Sequence, residues 1–264
     1  MNEDIKWTAA ALAVLGLAAA GYIYYSRSHK PVPVEAPVVA AKPPPAVVPD
    51  EPAIKHPLPV SEAPQRLPPL NESDQSMQSA LVDLIGRDSV ERFIIPKELI
   101  RHIVVSVDNM PEQKVAERMR PVRPAAGRLV TTGPEESPVL DPANYERYKP
   151  QVQLIGTIDS KRLVATYVHY YALFQEAYES LGHPPKYFND RLIEVIDQLL
   201  MTPEVRDPIA LARPNVQYEF ADAKLESLAA GQKALIRMGP DNAKVVKDKL
   251  RELRSELIAQ RPAR

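Results

Sequence analysis

A 19-residue apolar run without a single charge, Trp7–Tyr25, is followed almost at once by a proline-rich tract that contains no glycine. This pairing constrains the chain more than any other feature. A helix over the run reaches about 28 Å at ~1.5 Å per residue, enough for a hydrocarbon core of ~30 Å. Trp7 at one end and Tyr22, Tyr24 and Tyr25 at the other stand where interfacial aromatics belong. Backbone polar groups inside lipid must be satisfied internally, so a transmembrane helix is the expected state. A cleaved signal peptide is the competing reading, because Ala18-Ala19-Ala20 resembles a small-residue cleavage site. The short flank 1–6 has Glu3 and Asp4 against Lys6 instead of a basic cluster, and cleavage would leave GYIYY at the new terminus. The retained anchor is therefore the expectation.

Lys6 before the run and Arg27 and Lys30 after it nearly balance, and the small excess leans towards a cytoplasmic C-terminus. Nearly all of the chain lies beyond the run, and large domains translocate largely regardless of flanking charge. A C-terminal domain outside the cytoplasm is expected on that ground. Small residues four apart, Ala9/Ala13 and Gly16/Ala20, would let two such helices approach closely, although alanine this abundant gives such pairs by chance.

Residues 26–69 read as a disordered, proline-rich linker. Between positions 31 and 69 there are 13 prolines in 39 residues. Proline fixes φ and biases the residue before it towards extended backbone, so polyproline II is expected, reaching at most about 120 Å at ~3.1 Å per residue. Its apolar residues are mostly isolated Val and Ala, too few to bury a core. Lys42-Pro43-Pro44-Pro45 is its best match to a docking strip, though a proline-rich spacer yields such strings for free.

The third segment, residues 70–260, is long enough for one sizeable core or two small ones. The first 69 residues hold six basic and six acidic side chains of the chain's 33 and 34, which leaves 27 against 28 beyond them. A near-neutral domain lacks the broad basic face of a nucleic-acid binder, so no nucleic acid is expected as partner. With no cysteine in the chain, thiol catalysis and disulfides are excluded.

Helical periodicity dominates this segment, and the expected fold class is all-α with at most a small two-stranded sheet. Ser73 is placed to cap a helix carrying Met77, Leu81, Leu84 and Ile85 on one stripe, which Gly86 ends. Pro96 suits the first turn of a second helix with Leu99, Ile100, Ile103, Val104 and Val107. Asp141-Pro142 opens a third, residues 160–181 read as the longest, Asn189 starts another that Pro203 stops, and Gly239-Pro240 begins the last. Two extended stretches, 127–132 and 215–220, are candidates to pair with each other.

The strings RPVRP (Arg120–Pro124), LDPANY (Leu140–Tyr145), YFNDRLIEVIDQLL (Tyr187–Leu200), YEFAD (Tyr218–Asp222), AGQK (Ala230–Lys233) and RMGP (Arg237–Pro240) occur in order. In them the chain resembles the bacterial domain-of-unknown-function family 3014 across essentially all of Leu70–Ile258. That resemblance implies an N-terminal membrane helix and proline-rich linker in the inner membrane of a Gram-negative cell. It brings no activity, cofactor or catalytic residue with it.

Three groups of side chains stand out as candidate binding residues. Seven of the 11 tyrosines fall between Tyr145 and Tyr187. Tyr167 and Tyr171, with Tyr170, Phe174 and Tyr178, share a face that either packs in the core or presents hydroxyls around a cleft. Asp190, Glu194 and Asp197 lie at i, i+4 and i+7, opposite Ile193, Ile196 and Leu200. Such a line of carboxylates serves a hard cation, acid–base chemistry or salt bridges. Arg118, Arg120, Arg123 and Arg128 crowd one loop stiffened by Pro121 and Pro124, and their guanidinium forks suit an anionic partner or those carboxylates. The five histidines show no metal-ligand spacing, and neither a nucleophile elbow nor a phosphate loop is present. The expectation is a non-enzymatic interaction or scaffolding module of the cell envelope, tethered to the membrane through its N-terminal helix, without cofactor or metal. Its partner would be an envelope protein or a cell-wall polymer. An envelope hydrolase built on the carboxylates and the tyrosine-rich helix is the alternative.

Overall fold

Helices account for most of the structure, a computed structural model that describes residues 54–59, 67–182 and 186–260. The run 7–25 and most of the proline tract lie outside these residues. No helix among the described residues is long and apolar enough to cross a membrane.

Ten α-helices lie among them: α1 (Asp74–Ile85), α2 (Arg87–Phe93), α3 (Leu99–Asn109), α4 (Ala143–Thr157), α5 (Ser160–His169), α6 (Tyr171–Glu179), α7 (Phe188–Leu200), α8 (Ala223–Glu226), α9 (Ala230–Arg237) and α10 (Pro240–Ala259). Punctuation residues set most of these boundaries. Gly86 ends α1 at φ 83°, and Gly239 at φ 85° turns the chain into α10, where Pro240 occupies the first turn and needs no amide partner. Asp159 caps α5 by accepting the Arg162 amide at 2.8 Å, and Asp141 accepts the Ala143 amide at 2.8 Å ahead of α4.

Three helix expectations need correcting. Ser73 holds the N-cap position of α1, but its hydroxyl turns back to donate to the Leu70 carbonyl at 2.7 Å, leaving the first-turn amides uncapped by it. Pro96 does not sit in the first turn of α3. That helix starts at Leu99, after Glu98 at φ 47°, and the Asp74 carboxylate of α1 accepts the amides of Glu98 and Leu99 at 2.7 and 2.8 Å. Residues 160–181 are not one helix either. The chain breaks at Tyr170 (φ −94°, ψ 6°), whose ring is buried and whose hydroxyl shares a 2.6 Å hydrogen bond with Ser76 of α1. The longest helix is α10, with 20 residues.

Two small antiparallel hairpins complete the fold. Strand β1 (Thr131–Thr132) pairs with β2 (Val139–Leu140), and β3 (Leu211–Ala212) pairs with β4 (Glu219–Phe220). The stretches expected to pair with each other therefore pair with their own sequence neighbours, a shorter loop to close in each case. A bridge between Val139 and Ala210 joins the hairpins, through the Leu140 amide on the Ile209 carbonyl (2.9 Å) and the Leu211 amide on the Pro138 carbonyl (2.8 Å).

The core forms where these elements meet. Leu99, Ile100 and Val104 of α3 pack with Phe174 and Tyr178 of α6 and Phe188 of α7. Val164 of α5, Ile193 and Ile196 of α7 and Leu257 of α10 form a second cluster. A third cluster lies beneath the hairpins, built on Leu140, Ile209, Leu211, Phe220 and Ile236. Burying such side chains at about 25 cal/mol per Å² drives the assembly. It also fixes the first turn of α7, which the candidate site uses.

Candidate binding site at the start of α7

The first turn of α7 is held from beneath by aromatic stacking. Phe188, 1 % exposed, stacks on Phe174 with ring centroids 5.8 Å apart and planes 5° from parallel. Tyr167 and Tyr178 tilt against the same ring at 6.3 and 5.5 Å. The break at Tyr170 lets α5 and α6 both deliver aromatic residues to it. Gln175 of α6 then fixes the turn by accepting the Phe188 amide at 2.8 Å and donating to the Lys186 carbonyl at 2.9 Å.

Above this floor, two polar residues of α7 hold a distant part of the chain. Asp190 accepts the amide of Lys55 at 3.0 Å and that of His56 at 2.7 Å, one on each carboxylate oxygen. Asn189, buried to 1 % exposure, donates from Nδ2 to the His56 carbonyl at 2.8 Å and accepts from the Tyr167 hydroxyl at 3.3 Å. Three backbone groups of Lys55 and His56 are thus read by two adjacent side chains. Pro57 follows, then Leu58, buried at 9 % exposure, then exposed Pro59. Asp190 stands in the first turn of α7, where the helix dipole favours its negative charge.

The tyrosines around this corner are neutral. Burial pushes the Tyr171 hydroxyl up to about 12; the Asn189 amide hydrogen bond opposes this, and the nearby charges of Asp190, Tyr187 and Glu179 add to it. Burial also raises Tyr167 well above the ordinary tyrosine value, with Tyr171 and Asp190 adding to the effect. Hydroxyls in this state donate and accept hydrogen bonds but do not act as bases near neutral pH.

Of the candidate residues, Tyr167, Tyr171 and Asp190 come together at this corner, while the other two carboxylates diverge from it. Glu194 is exposed and pairs with Arg191 at 3.4 Å, one turn along its own helix. Asp197 makes a bidentate pair with Arg254 of α10. Arg191 reaches across to α3 as well, donating to the Asp108 carboxylate and carbonyl, each at 2.9 Å.

The arginine loop is anchored elsewhere. An Ile94–Val122 bridge fastens it, with the Ile95 amide on the Pro121 carbonyl (2.9 Å) and the Arg123 amide on the Phe93 carbonyl (2.8 Å). Arg120 pairs with Glu117 at 2.9 Å within the loop, not with the α7 carboxylates. Arg118, Arg123 and Arg128 are exposed, and none of the three makes an ion pair among the described residues. No group of three His, Asp or Glu residues that could hold a metal ion occurs among the described residues.

Sequence reasoning missed Asn189, Gln175 and the 54–59 segment. Asn189-Asp190 at a helix start was legible as a polar pair, but nothing near it in sequence names its partners, which lie more than 130 positions away.

No curated protein and no solved structure matches this chain. The profile of a family described as "Protein of unknown function (DUF3014)" matches residues 99–254, a span that runs from the start of α3 into α10 and includes the arginine loop and the start of α7. The match covers more than half of the sequence, and the chain belongs to the DUF3014 family of proteins of unknown function.

Proposed function

We propose that this protein is a membrane-tethered interaction module of the bacterial cell envelope. Residues 7–25 anchor it in the inner membrane, the proline tract spaces it, and the helical domain works in the periplasm, where it meets an envelope protein or a cell-wall polymer. Confinement near a surface raises weak binding without any new contact, which is what such a tether contributes.

One observation supports binding over carboxylate chemistry. Asp190 and Asn189 hold a bent stretch of polypeptide by its backbone groups, while Glu194 and Asp197 are engaged by arginines instead of converging with Asp190 on a cleft. An acid–base pair built from these three carboxylates needs two of them facing one reacting centre.

The test combines location with contact. Reporters that fluoresce only in the cytoplasm or are active only in the periplasm are fused after Arg264, and a photo-crosslinking residue replaces the exposed Glu194 beside the corner. Periplasmic activity in membrane fractions and a discrete adduct with an envelope protein or cell-wall polymer are expected. Cytoplasmic fluorescence overturns the location, and a chain that yields no adduct in cells overturns the role.

A further inference from the structure

We infer that the corner formed by Asn189, Asp190, Tyr167 and Tyr171 is a peptide-binding site, that residues 54–59 occupy it as an internal ligand, and that a proline-containing peptide of a partner protein, bent where Asp190 holds it, takes their place. The inference rests on the interaction-module reading and adds to it the ligand class and the means of control.

The contacts define what the site reads. Asp190 requires two consecutive residues with free amides, since each carboxylate oxygen accepts one, from Lys55 and His56. Neither of those positions tolerates proline, which has no N–H to give. Asn189 requires the second residue's carbonyl. Leu58, two residues on, supplies the one buried apolar side chain of the segment. Pro57 and Pro59 flank it and each fixes φ at its own position, so less conformational freedom is lost on binding there. The motif is therefore two non-proline residues, then Pro, an apolar side chain of leucine size, and Pro. Proline-bearing segments recognised against aromatic-lined surfaces share part of this logic, since proline pre-sets the backbone and a pocket takes the apolar side chain. The side chains of Lys55 and His56 make none of the three polar contacts that hold the segment; Lys55 is exposed, which leaves its position open to other residues, whereas the His56 ring is half-buried with its Nδ1 enclosed.

Covalent attachment explains why the chain's own segment fills the site. Seven residues separate Pro59 from Leu67, where the described chain resumes and enters the domain. A tether this short gives an effective concentration on the order of millimolar, so a partner peptide must outcompete a local copy. Release would also lengthen the free spacer by the residues between 54 and 67, extending the domain's reach at ~3.1 Å per residue. Occupancy and reach are thus two readouts of one equilibrium.

The experiment uses the purified full chain in detergent and a fluorescent peptide with the sequence of residues 53–60, followed by anisotropy. Leu58→Asp in the chain removes the internal ligand's apolar contact, and Lys55→Pro/His56→Pro removes its two amide donors without touching the domain. Both variants are expected to bind the peptide at least about tenfold more tightly than the unmodified chain. Adding Asp190→Ala to either is expected to abolish that binding, as is N-methylation of the peptide's histidine amide. If neither variant binds the peptide while both keep the unmodified chain's thermal unfolding, residues 54–59 are a fixed brace of the fold and the inference is wrong. Equal binding by variant and unmodified chain would overturn the internal occupancy. These outcomes are read on purified protein, so they stand apart from the location and crosslinking results in cells.

Discussion

The Tyr145 ring closes over the α-carbon of Gly239: a β-carbon there would fall 2.5 Å from Tyr145 Cγ and 2.7 Å from both Cδ atoms. Two of the distinctive strings, LDPANY and RMGP, thus meet in space. Asn242 of α10 reinforces the junction by donating to the carbonyls of Tyr145 and Met238, each at 2.8 Å, and the Tyr145 hydroxyl donates to Asp207 at 2.7 Å.

Gly239→Ala is therefore expected to destabilise the protein by about 3 kcal/mol, from a backbone conformation that only glycine adopts freely and from collision with the ring. Gly86 provides the control. Its backbone (φ 83°, ψ 153°) nearly matches that of Gly239 (φ 85°, ψ 160°), but an added β-carbon meets nothing within 4 Å. Gly86→Ala is expected to cost only the backbone part, about 1–2 kcal/mol. Urea unfolding of both variants measures the difference, and equal losses would remove the ring from the explanation.

Two ion pairs on α7 differ in burial, and removing their arginines is expected to differ accordingly. Arg191 and Asp108 have side chains 18 % and 15 % exposed, so Arg191→Ala leaves a carboxylate partly dehydrated without its guanidinium and should cost about 2–3 kcal/mol. Arg254 and Asp197 are 38 % and 42 % exposed, and water screens their attraction. Arg254→Ala should cost no more than about 1 kcal/mol, with a loss that shrinks as salt is added. Denaturant midpoints of the two variants at low and high salt decide the matter.

Glu226 makes stability depend on acidity. Burial alone would raise its pKa, but the Lys233 ammonium at 2.6 Å and the Phe220 amide at 2.8 Å hold it below the ordinary 4.5. A carboxylate depressed in the folded state contributes its full stability above the unfolded value. That contribution is lost as pH falls through the folded value. Glu226→Gln should therefore lower the melting temperature at neutral pH and flatten its decline below about pH 5. A variant whose acid-side slope equals that of the unmodified protein would exclude this role for Glu226.

The start of α3 at Leu99 depends on Asp74, 25 positions upstream. Asp74→Ala removes the acceptor for the Glu98 and Leu99 amides and is expected to cost about 1–2 kcal/mol, as loss of an N-cap does. Hydrogen exchange should report it locally, as faster exchange at Glu98 and Leu99. Unchanged exchange at those amides would show that the cap contributes nothing.

What was legible in the sequence was local. Gly86, Pro203, Asp141-Pro142 and Gly239-Pro240 mark helix ends because they act through their own φ, their own amide or their nearest neighbours, and the apolar stripes name the faces that become core. Several decisions lie beyond that range. The apolar period runs unbroken through Tyr170, and the helix breaks there where the buried tyrosine meets Ser76 of another helix. Strands of two residues carry no period at all, so the hairpins emerge only from pairing. Asp190, Glu194 and Asp197 look equivalent along one helix. Tertiary structure gives them a backbone segment, an arginine one turn away and an arginine on α10. Sequence by itself determined which residues turn inward and the helix ends that glycine, proline and Asp141 mark, because those follow from short-range sterics and periodicity. Only the tertiary structure decided which carboxylate faces which partner, because hydrogen bonds and ion pairs act over a few ångströms in space whatever the distance along the chain.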